Sequence, residues 1–318
     1  MNLIWVMPAQ EASNQIVSLR SAGNTPALFV LRPRREIVLG KIEVRDLPDA
    51  PVEVRLGGIS KSFPRDEGRL EVLRDLHMHM PAGSFVSILG PSGSGKSTLL
   101  GILAGLDRED VGTLSLWPQG APAPLAERLG RVGYMPQRDL LLPWRTALDN
   151  TTVALEVGGM SRREARARAL PLFSEFGLAG FAGSYPHELS GGMRQRVSFL
   201  RSAVTSHGLM LLDEPFGALD ALTRAGMQEW LLESAAHLQS TFILVTHDVD
   251  EAVLLSDRVY VLTPRPGTIV RMVDVDLARP RTPDAIYQEE FATYRRELLG
   301  ALRAAGGPAT GLRQEVGS

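Results

Sequence analysis

The chain has 318 residues, of which 44% are hydrophobic and 22% are charged, a balance typical of a globular protein. Its formal net charge of −2 at pH 7 gives no overall basic field that would attract nucleic acid or anionic lipid. The absence of cysteine excludes disulfides, thiolate metal sites and cysteine nucleophiles. No apolar run approaches the roughly 18 residues that would span a bilayer, and the N-terminus lacks the basic start of a secretory signal.

Residues 1–51 show no pattern of regular secondary structure. Their short apolar runs are interrupted by the basic sequence RPRR and by Pro48 and Pro51. We expect this segment to be a flexible N-terminal extension. The alternatives are a start codon placed upstream of the true one and an arm that binds a partner.

The organised pattern begins near Val52. Alternation in VEVRLGGISKSF (52–63) and VLRDLHMHM (72–80) predicts two antiparallel strands. The apolar run SFVSILG (84–90) predicts a buried strand. Leucine and isoleucine recur at helix spacing in KSTLLGILAGL (96–106), which predicts a helix directly after that strand.

The rest of the chain alternates helices and strands. Helical patterns fill most of 144–187, and apolar strands follow at 208–213 and 241–247, each with a helical stretch after it. This order predicts an α/β fold with a parallel sheet covered by helices. After residue 275, the sequence EEFATYRRELLGALRAA predicts one further helix.

Two residue clusters have simpler explanations than a binding site. Four arginines lie close together in the second helical pattern, at 162, 163, 166 and 168. Interleaved glutamates and the lack of an aromatic platform favour a solvated helix face over a nucleic-acid site. His77 and His79 would share one strand face, but no third ligand is near, so we do not predict a metal site there.

The sequence GPSGSGKST fits the phosphate-binding pattern G-x-x-x-x-G-K-[ST]. Its glycines allow a tight turn whose backbone N–H groups point at phosphate oxygens. Lys96 adds a positive charge, Ser97 offers a hydroxyl to Mg²⁺, and the helix start adds its dipole. The flanking strand and helix are the required context. We therefore predict that ATP is bound by Gly90, Pro91, Ser92, Gly93, Ser94, Gly95, Lys96, Ser97 and Thr98.

A second apolar strand, LMLLDEP, supplies the acidic groups. Ligands of open α/β sheets bind at the carboxyl ends of strands, so Asp213 is predicted to hold Mg²⁺ beside the glycine-rich loop. Glu214 would orient or deprotonate the attacking water. Adjacent residues of a strand point to opposite faces, so different roles are expected. His247 ends a third apolar strand at the same edge, where it could contact the γ-phosphate.

The sequence LSGGMRQR, at 189–196, has the features of a second anion site at a helix start. With the motifs above, it resembles the signature motif of the nucleotide-binding subunits of ATP-binding-cassette (ABC) transporters, a resemblance that covers residues 52–275. The resemblance implies a RecA-like P-loop core with an antiparallel β subdomain. It also implies an inserted helical subdomain at about 139–190 and leaves 276–318 as a tail with one helix.

The resemblance also implies roles for single residues. Gln137 in GYMPQRD would sense Mg²⁺ and the attacking water, and Asp220 in FGALD would reach across a dimer. His247 would be the switch histidine. Phe63 lies where the family places an aromatic residue that stacks on adenine, usually tyrosine, and its ring preserves that stacking face. In a head-to-tail homodimer, one chain would cap the γ-phosphate held by the other through Ser190, Gly191 and Gly192.

The sequences LLPW (141–144) and DRVYVLTPRPGTIV (257–270) resemble the importer branch that handles nitrate, sulfonates and taurine. Residues 141–144 are expected to be exposed and to face a membrane partner. This branch implies two transmembrane permease subunits, a periplasmic or extracellular substrate-binding protein, no nucleic acid, and a peripheral position on the cytoplasmic face of the inner membrane. Aliphatic sulfonates rank first as cargo, then taurine or nitrate, then thiamine precursors.

Three other functions compete with an importer subunit. An exporter subunit is disfavoured by the LLPW sequence. A soluble ABC ATPase that acts in DNA repair or on ribosomes is disfavoured by the single cassette and the lack of heptads. A scaffold that binds nucleotide without hydrolysing it is disfavoured by Glu214.

Overall fold

The computed structural model describes residues 50–306 except 67, 117–127, 129, 131, 207 and 239. Almost all of the predicted N-terminal extension, 1–51, therefore lies outside the described residues. The domain boundaries at 51 and 275, and the helical subdomain at about 139–190, stay predictions.

The described strands and helices alternate as the α/β prediction requires. The strands are β1 (Val54–Arg65), β2 (Gly68–Met80), β3 (Phe85–Leu89), β4 (Val111–Leu116), β5 (Gly133–Met135), β6 (Leu209–Asp213), β7 (Thr241–Thr246), β8 (Arg258–Leu262) and β9 (Ile269–Asp274). The helices are α1 (Lys96–Leu103), α2 (Ala147–Val157), α3 (Arg162–Glu175), α4 (Gly191–Ala203), α5 (Ala221–His237), α6 (Val249–Leu255) and α7 (Glu289–Ala304). Short 3-10 turns lie at Pro186–Glu188 and Pro283–Tyr287.

The larger sheet has the strand order β5-β6-β7-β3-β8-β9, with every pair parallel except β8 and β9. Its central strands β3, β6 and β7 are buried at every residue. Helices cover both faces of such a sheet, which explains the continuous apolar runs. The parallel arrangement brings the carboxyl ends of these strands to one edge.

The smaller sheet is antiparallel, in the order β2-β1-β4. Strands β1 and β2 confirm the two predicted from alternation. Val54, Leu76 and Met80 are buried and belong to a core shared with β3, α1 and β8. Strands β4 and β5 were not predicted, because β5 has only 3 residues and the alternation in β4 is confined to its end, TLSL.

Helices α2 and α3 begin at polar caps. The Thr146 hydroxyl accepts from the Asp149 backbone N–H, and Ser161 and Glu164 form a reciprocal capping box. Asp149 on α2 is buried and pairs with Arg162 at 2.6 Å. All four arginines are exposed, as predicted for a solvated helix face, and Arg162 in addition joins two helices.

Helix α1 is shorter than the sequence pattern suggested. It ends at Leu103, and Leu106 lies beyond it with 55% of its surface exposed. Among the described residues, no helix combines the length and the apolar composition that crossing a membrane requires.

The chain after β9 packs against α6. Arg281 is buried there, and burial lowers the pKa of its guanidinium to about 10. Its Nη1 donates to the carbonyls of Val253 and Ser256, at 3.1 and 2.7 Å. These carbonyls lie at the C-terminal end of α6 and have no helical partner, so the arginine satisfies them. The contact holds the C-terminal end of α6, and the N-terminal end of this helix comes just after His247.

Candidate functional site

The glycine-rich loop connects the end of β3 to the start of α1. Gly95 has a φ of 98°, and a Cβ built there would lie 2.5 Å from Cδ2 of Leu73 on β2. Only glycine combines this backbone conformation with such close approach. Lys96 begins the helix, and its Nζ donates to the carbonyls of Gly90 and Pro91, at 2.8 and 2.9 Å. The lysine is thereby held at the mouth of the loop.

Asp213, at the end of β6, lies beside this loop as predicted. The Ser97 hydroxyl donates to its Oδ1 over 3.1 Å. Burial raises the pKa of the Asp213 carboxyl, an effect that the Ser97 hydrogen bond and Lys96 oppose. The Tyr134 hydroxyl is 3.5 Å from the other carboxylate oxygen, and burial raises the pKa of that tyrosine to about 12.

Glu214 lies just beyond β6 and is the point where the other predicted groups meet. Its Oε2 is 3.1 Å from Nε2 of Gln137 and 3.3 Å from Nδ1 of His247. The expectation that Asp213 and Glu214 point to opposite faces of one strand is wrong, because the strand ends at Asp213. Glu214 instead has a φ of 45°, a left-handed conformation that is strained for a glutamate.

These residues border a cleft of about 560 Å³. Its lining includes Phe63, Leu70 and Val72 of the smaller sheet, together with the glycine-rich loop, Gln137 and Glu214. Nζ of Lys61 lies 5.0 Å from the Phe63 ring centroid. The cleft thus combines apolar and aromatic side chains with the polar groups of the glycine-rich loop.

The predicted signature residues lie elsewhere on the chain. Ser190 is exposed and caps α4, where its hydroxyl accepts from the Met193 N–H over 3.3 Å. None of the described cleft-lining residues belongs to 189–192. A Cβ on Gly192 would lie 3.0 Å from Cγ2 of Thr223, so glycine allows α4 to approach α5. Asp220 caps α5 by accepting from the Thr223 N–H.

The LLPW segment is only partly exposed. Trp144 has 72% of its surface accessible and Pro143 is exposed, as predicted. The prediction is wrong for Leu141, which is buried in the core. The buried Asn150 exchanges hydrogen bonds with the backbone of Leu142 and so turns the preceding leucine inward.

Sequence reasoning missed Glu251 at the start of α6. It is buried, and the Thr246 hydroxyl donates to its Oε2 over 2.5 Å. Burial raises the pKa of Glu251 to about 7; the Thr246 hydrogen bond and the charge of Arg224 oppose this, and Asp248 adds to it. The glutamate therefore sits between the strand end that carries His247 and helix α5. The sequence THDVDEA gave no sign that this acid is buried and the other two are not.

The chemistry of the donors fits Mg²⁺. Mg²⁺ prefers oxygen ligands in an octahedron with bonds of about 2.1 Å, which places neighbouring ligands about 3 Å apart. Ser97 Oγ and Asp213 Oδ1 have that separation. Among the described residues, no group of three or more His, Asp or Glu side chains could hold a metal. His77 and His79 pair instead with Asp75 and Glu53.

A glycine-rich loop with its lysine, a strand-end aspartate and an adjacent glutamate together define a P-loop ATPase. Residues 73–217 match the sequence pattern of the family described as ABC transporter. The chain is 40% identical over 233 residues to a formylaminopyrimidine import ATP-binding protein of Halalkalibacterium halodurans. The aligned region spans 73% of this chain and 90% of that protein. The chain therefore belongs to the ABC transporter family, and it is an ABC-type ATPase.

Other relatives agree. A nitrate import ATP-binding protein of Synechocystis is 38% identical over 79% of this chain and 96% of its own length. The solved dimeric structure of a bacterial ABC transporter cassette superposes with a TM-score of 0.60 at 30% identity, over 71% of this chain and all of that one. These comparisons confirm the fold class and the family.

Glu251 should make stability depend on pH. Its pKa is about 7 in the folded chain and 4.5 as a free group, so the folded state binds more protons between these values. The free energy of unfolding should therefore fall by about 3 kcal/mol as pH rises from 5 to 8. Glu251→Gln should remove that fall. Urea unfolding across this range would measure it, with the exposed Glu229→Gln as the control that keeps it. If the free energy of unfolding changed with pH by the same amount in both variants, Glu251 would not be the source of the pH dependence.

Proposed function

We propose that this chain is the ATP-hydrolysing subunit of an ABC importer for a small anion, most of all aliphatic sulfonates. One observation carries the catalytic part: the Glu214 carboxylate meets Gln137 and His247 and lies 4.0 Å from Lys96. A carboxylate held among donors at the mouth of a phosphate loop is placed to act on a water that attacks the last phosphate.

The reaction is ATP plus water to ADP plus phosphate. The glycine-rich loop and Lys96 hold the phosphates, and Phe63 stacks on the adenine. Glu214 accepts a proton from the attacking water, and His247 contacts the γ-phosphate. Mg²⁺, held by Ser97, Asp213 and Gln137, would neutralise developing phosphate charge.

The active form is proposed to be a head-to-tail homodimer. Ser190 is exposed at the start of α4 and lies outside its own chain's cleft. A helix start offers free N–H donors that bind anions, so Ser190, Gly191 and Gly192 can cap the γ-phosphate of a partner. Asp220 lies on the neighbouring helix start. The dimeric ABC cassette of similar fold supports a homodimer. ATP binding would then favour association, and hydrolysis would loosen it.

The membrane contact is proposed to involve Pro143 and Trp144. Exposed apolar groups of this size mark interfaces. Their position after Gln137 would couple the ATP site to two permease subunits, which receive cargo from a periplasmic or extracellular substrate-binding protein. The chain would lie peripherally on the cytoplasmic face of the inner membrane, without a nucleic-acid partner.

The cargo is proposed from the relatives' names. Besides nitrate and formylaminopyrimidine, relatives at 36 to 42% identity are named for import of aliphatic sulfonates and of taurine. We rank aliphatic sulfonates first, then taurine or nitrate, then thiamine precursors. An exporter subunit and a soluble ABC ATPase rank behind all of these, because these relatives are named import proteins.

Glu214→Gln should keep ATP binding and slow turnover by on the order of 10²- to 10³-fold, because the amide cannot accept the water's proton. Without hydrolysis, the variant with ATP should elute from a sizing column as a dimer. Phosphate release and elution volume measure the two effects, with ADP as the control that gives monomer. A monomer with ATP would contradict the head-to-tail proposal.

Trp144→Ala should leave the ATPase activity of the isolated subunit near normal and weaken its coupling to the permease. The reason is that Trp144 is exposed and lies outside the cleft. Tyr287→Ala is the matched control, since this aromatic residue is 83% exposed on a distant segment. Transport by the reconstituted complex should drop for the first variant only. Equal transport by both would exclude Trp144 from the interface.

A strain that lacks the gene should fail to grow when the transported compound is its only source of sulfur or of nitrogen. Aliphatic sulfonates or taurine would be supplied as sulfur source and nitrate as nitrogen source. Growth should be lost on sulfonates and return when the chain is supplied in trans. Loss on nitrate alone would overturn the first-ranked cargo and leave the ATPase assignment untouched.

A further inference from the structure

The turn between β8 and β9 forms part of the cleft wall. Within it, Thr263 N donates to the carbonyl of Thr268 over 3.0 Å, and the Thr263 hydroxyl donates to the carbonyl of Pro266 over 3.0 Å. The Thr268 N–H returns a bond to that hydroxyl at 2.9 Å. These contacts give the turn, residues 263–268, a fixed shape.

The same turn is attached to the phosphate loop and to β2. Gly267 N donates to the Val72 carbonyl over 2.9 Å, and Arg74 N donates to the Gly267 carbonyl over 3.0 Å. A Cβ on Gly267 would lie 2.2 Å from the carbonyl oxygen of Ser94. The turn therefore sits directly against the loop that holds phosphates.

Arg265 is at the tip of this turn and lines the cleft. It is exposed, and a Cβ built on Gly93 would lie 3.7 Å from its Nη2. Its guanidinium has no hydrogen bond or ion pair with another described residue. By contrast, Arg258 and Arg271 on the adjoining strands are paired with Asp274 and Glu297. The N–H donors of an unpaired arginine beside a phosphate loop are available to bind an anion.

We propose that Arg265, which lies beside Gly93 of the loop, binds the phosphate chain of the nucleotide beyond the first phosphate. Gly93 lies in the middle of the loop, where backbone N–H groups point at phosphate oxygens. A guanidinium offers forked donors that match two such oxygens. The proposal rests on the nucleotide site proposed above and adds to it a cation that the glycine-rich motif does not contain.

The test is displacement of a fluorescent ADP analogue by ATP, ADP or AMP. Arg265→Gln should weaken ADP and ATP binding about 5- to 20-fold, a range scaled down for an exposed charge-assisted bond. The loss of affinity caused by Arg265→Gln should be smaller for AMP than for ADP. Arg265→Lys, which keeps the charge, should recover part of the affinity. Raising the salt concentration should reduce the difference in nucleotide affinity between Arg265→Gln and the unmodified chain.

Arg65→Gln is the matched control, because Arg65 lines the same cleft, is exposed and is likewise unpaired among the described residues. It should change ADP affinity less than Arg265→Gln. Equal losses for AMP and ADP, or no loss for either, would overturn the proposal.

The variant Lys96→Ala tests the proposed nucleotide site independently of the role of Arg265. Loss of probe binding in Lys96→Ala together with unchanged affinity in Arg265→Gln would reject Arg265 alone. Normal probe binding in Lys96→Ala would reject the phosphate-loop site itself. A lower melting temperature of nucleotide-free Arg265→Gln, with proportional losses for all three nucleotides, would indicate a structural role and also overturn the proposal.

Discussion

The parallel pairing of β3, β6 and β7 is the constraint on which the site depends. Because these strands run in one direction, the glycine-rich loop, Asp213 and His247 all leave the sheet at the same edge. The strands are buried at every residue, so a shift of register would expose apolar side chains or bury polar ones. The fixed register is what brings Ser97 within 3.1 Å of Asp213 although 116 positions separate them.

The small antiparallel sheet shapes the other side of the loop. Leu73 packs so closely on Gly95 that a Cβ there would overlap it, and Phe63 borders the cleft from the same sheet. The turn at 263–268 joins this sheet to the larger one by backbone bonds to Val72 and Arg74. Both walls of the cleft are thus attached to the loop.

Much of this could be predicted from sequence because the determining signals are local. Apolar runs predicted β3, β6 and β7, and the G-x-x-x-x-G-K-[ST] spacing predicted the loop between β3 and α1. The burial of Leu141 could not be predicted, because it depends on hydrogen bonds from Asn150, on the next helix. Glu251 and Arg265 were missed for the same reason. Whether a charged side chain is buried or unpaired depends on which distant element faces it.

Asp139 shows how the ATP site is connected to the rest of the chain. It lies two residues after Gln137, and its carbonyl accepts from Arg201 over 2.6 Å and from the Ser198 hydroxyl over 3.2 Å. Both donors are on α4, the helix that Ser190 begins. Under the proposed function, a movement of Gln137 would therefore be passed by direct contacts to α4, whose start is proposed to face the partner. The exposed Trp144 follows on the same segment, so one stretch of chain contacts Glu214 and α4 and also carries the surface proposed to meet the membrane partner. This continuity of contacts is the physical basis on which hydrolysis could drive motion.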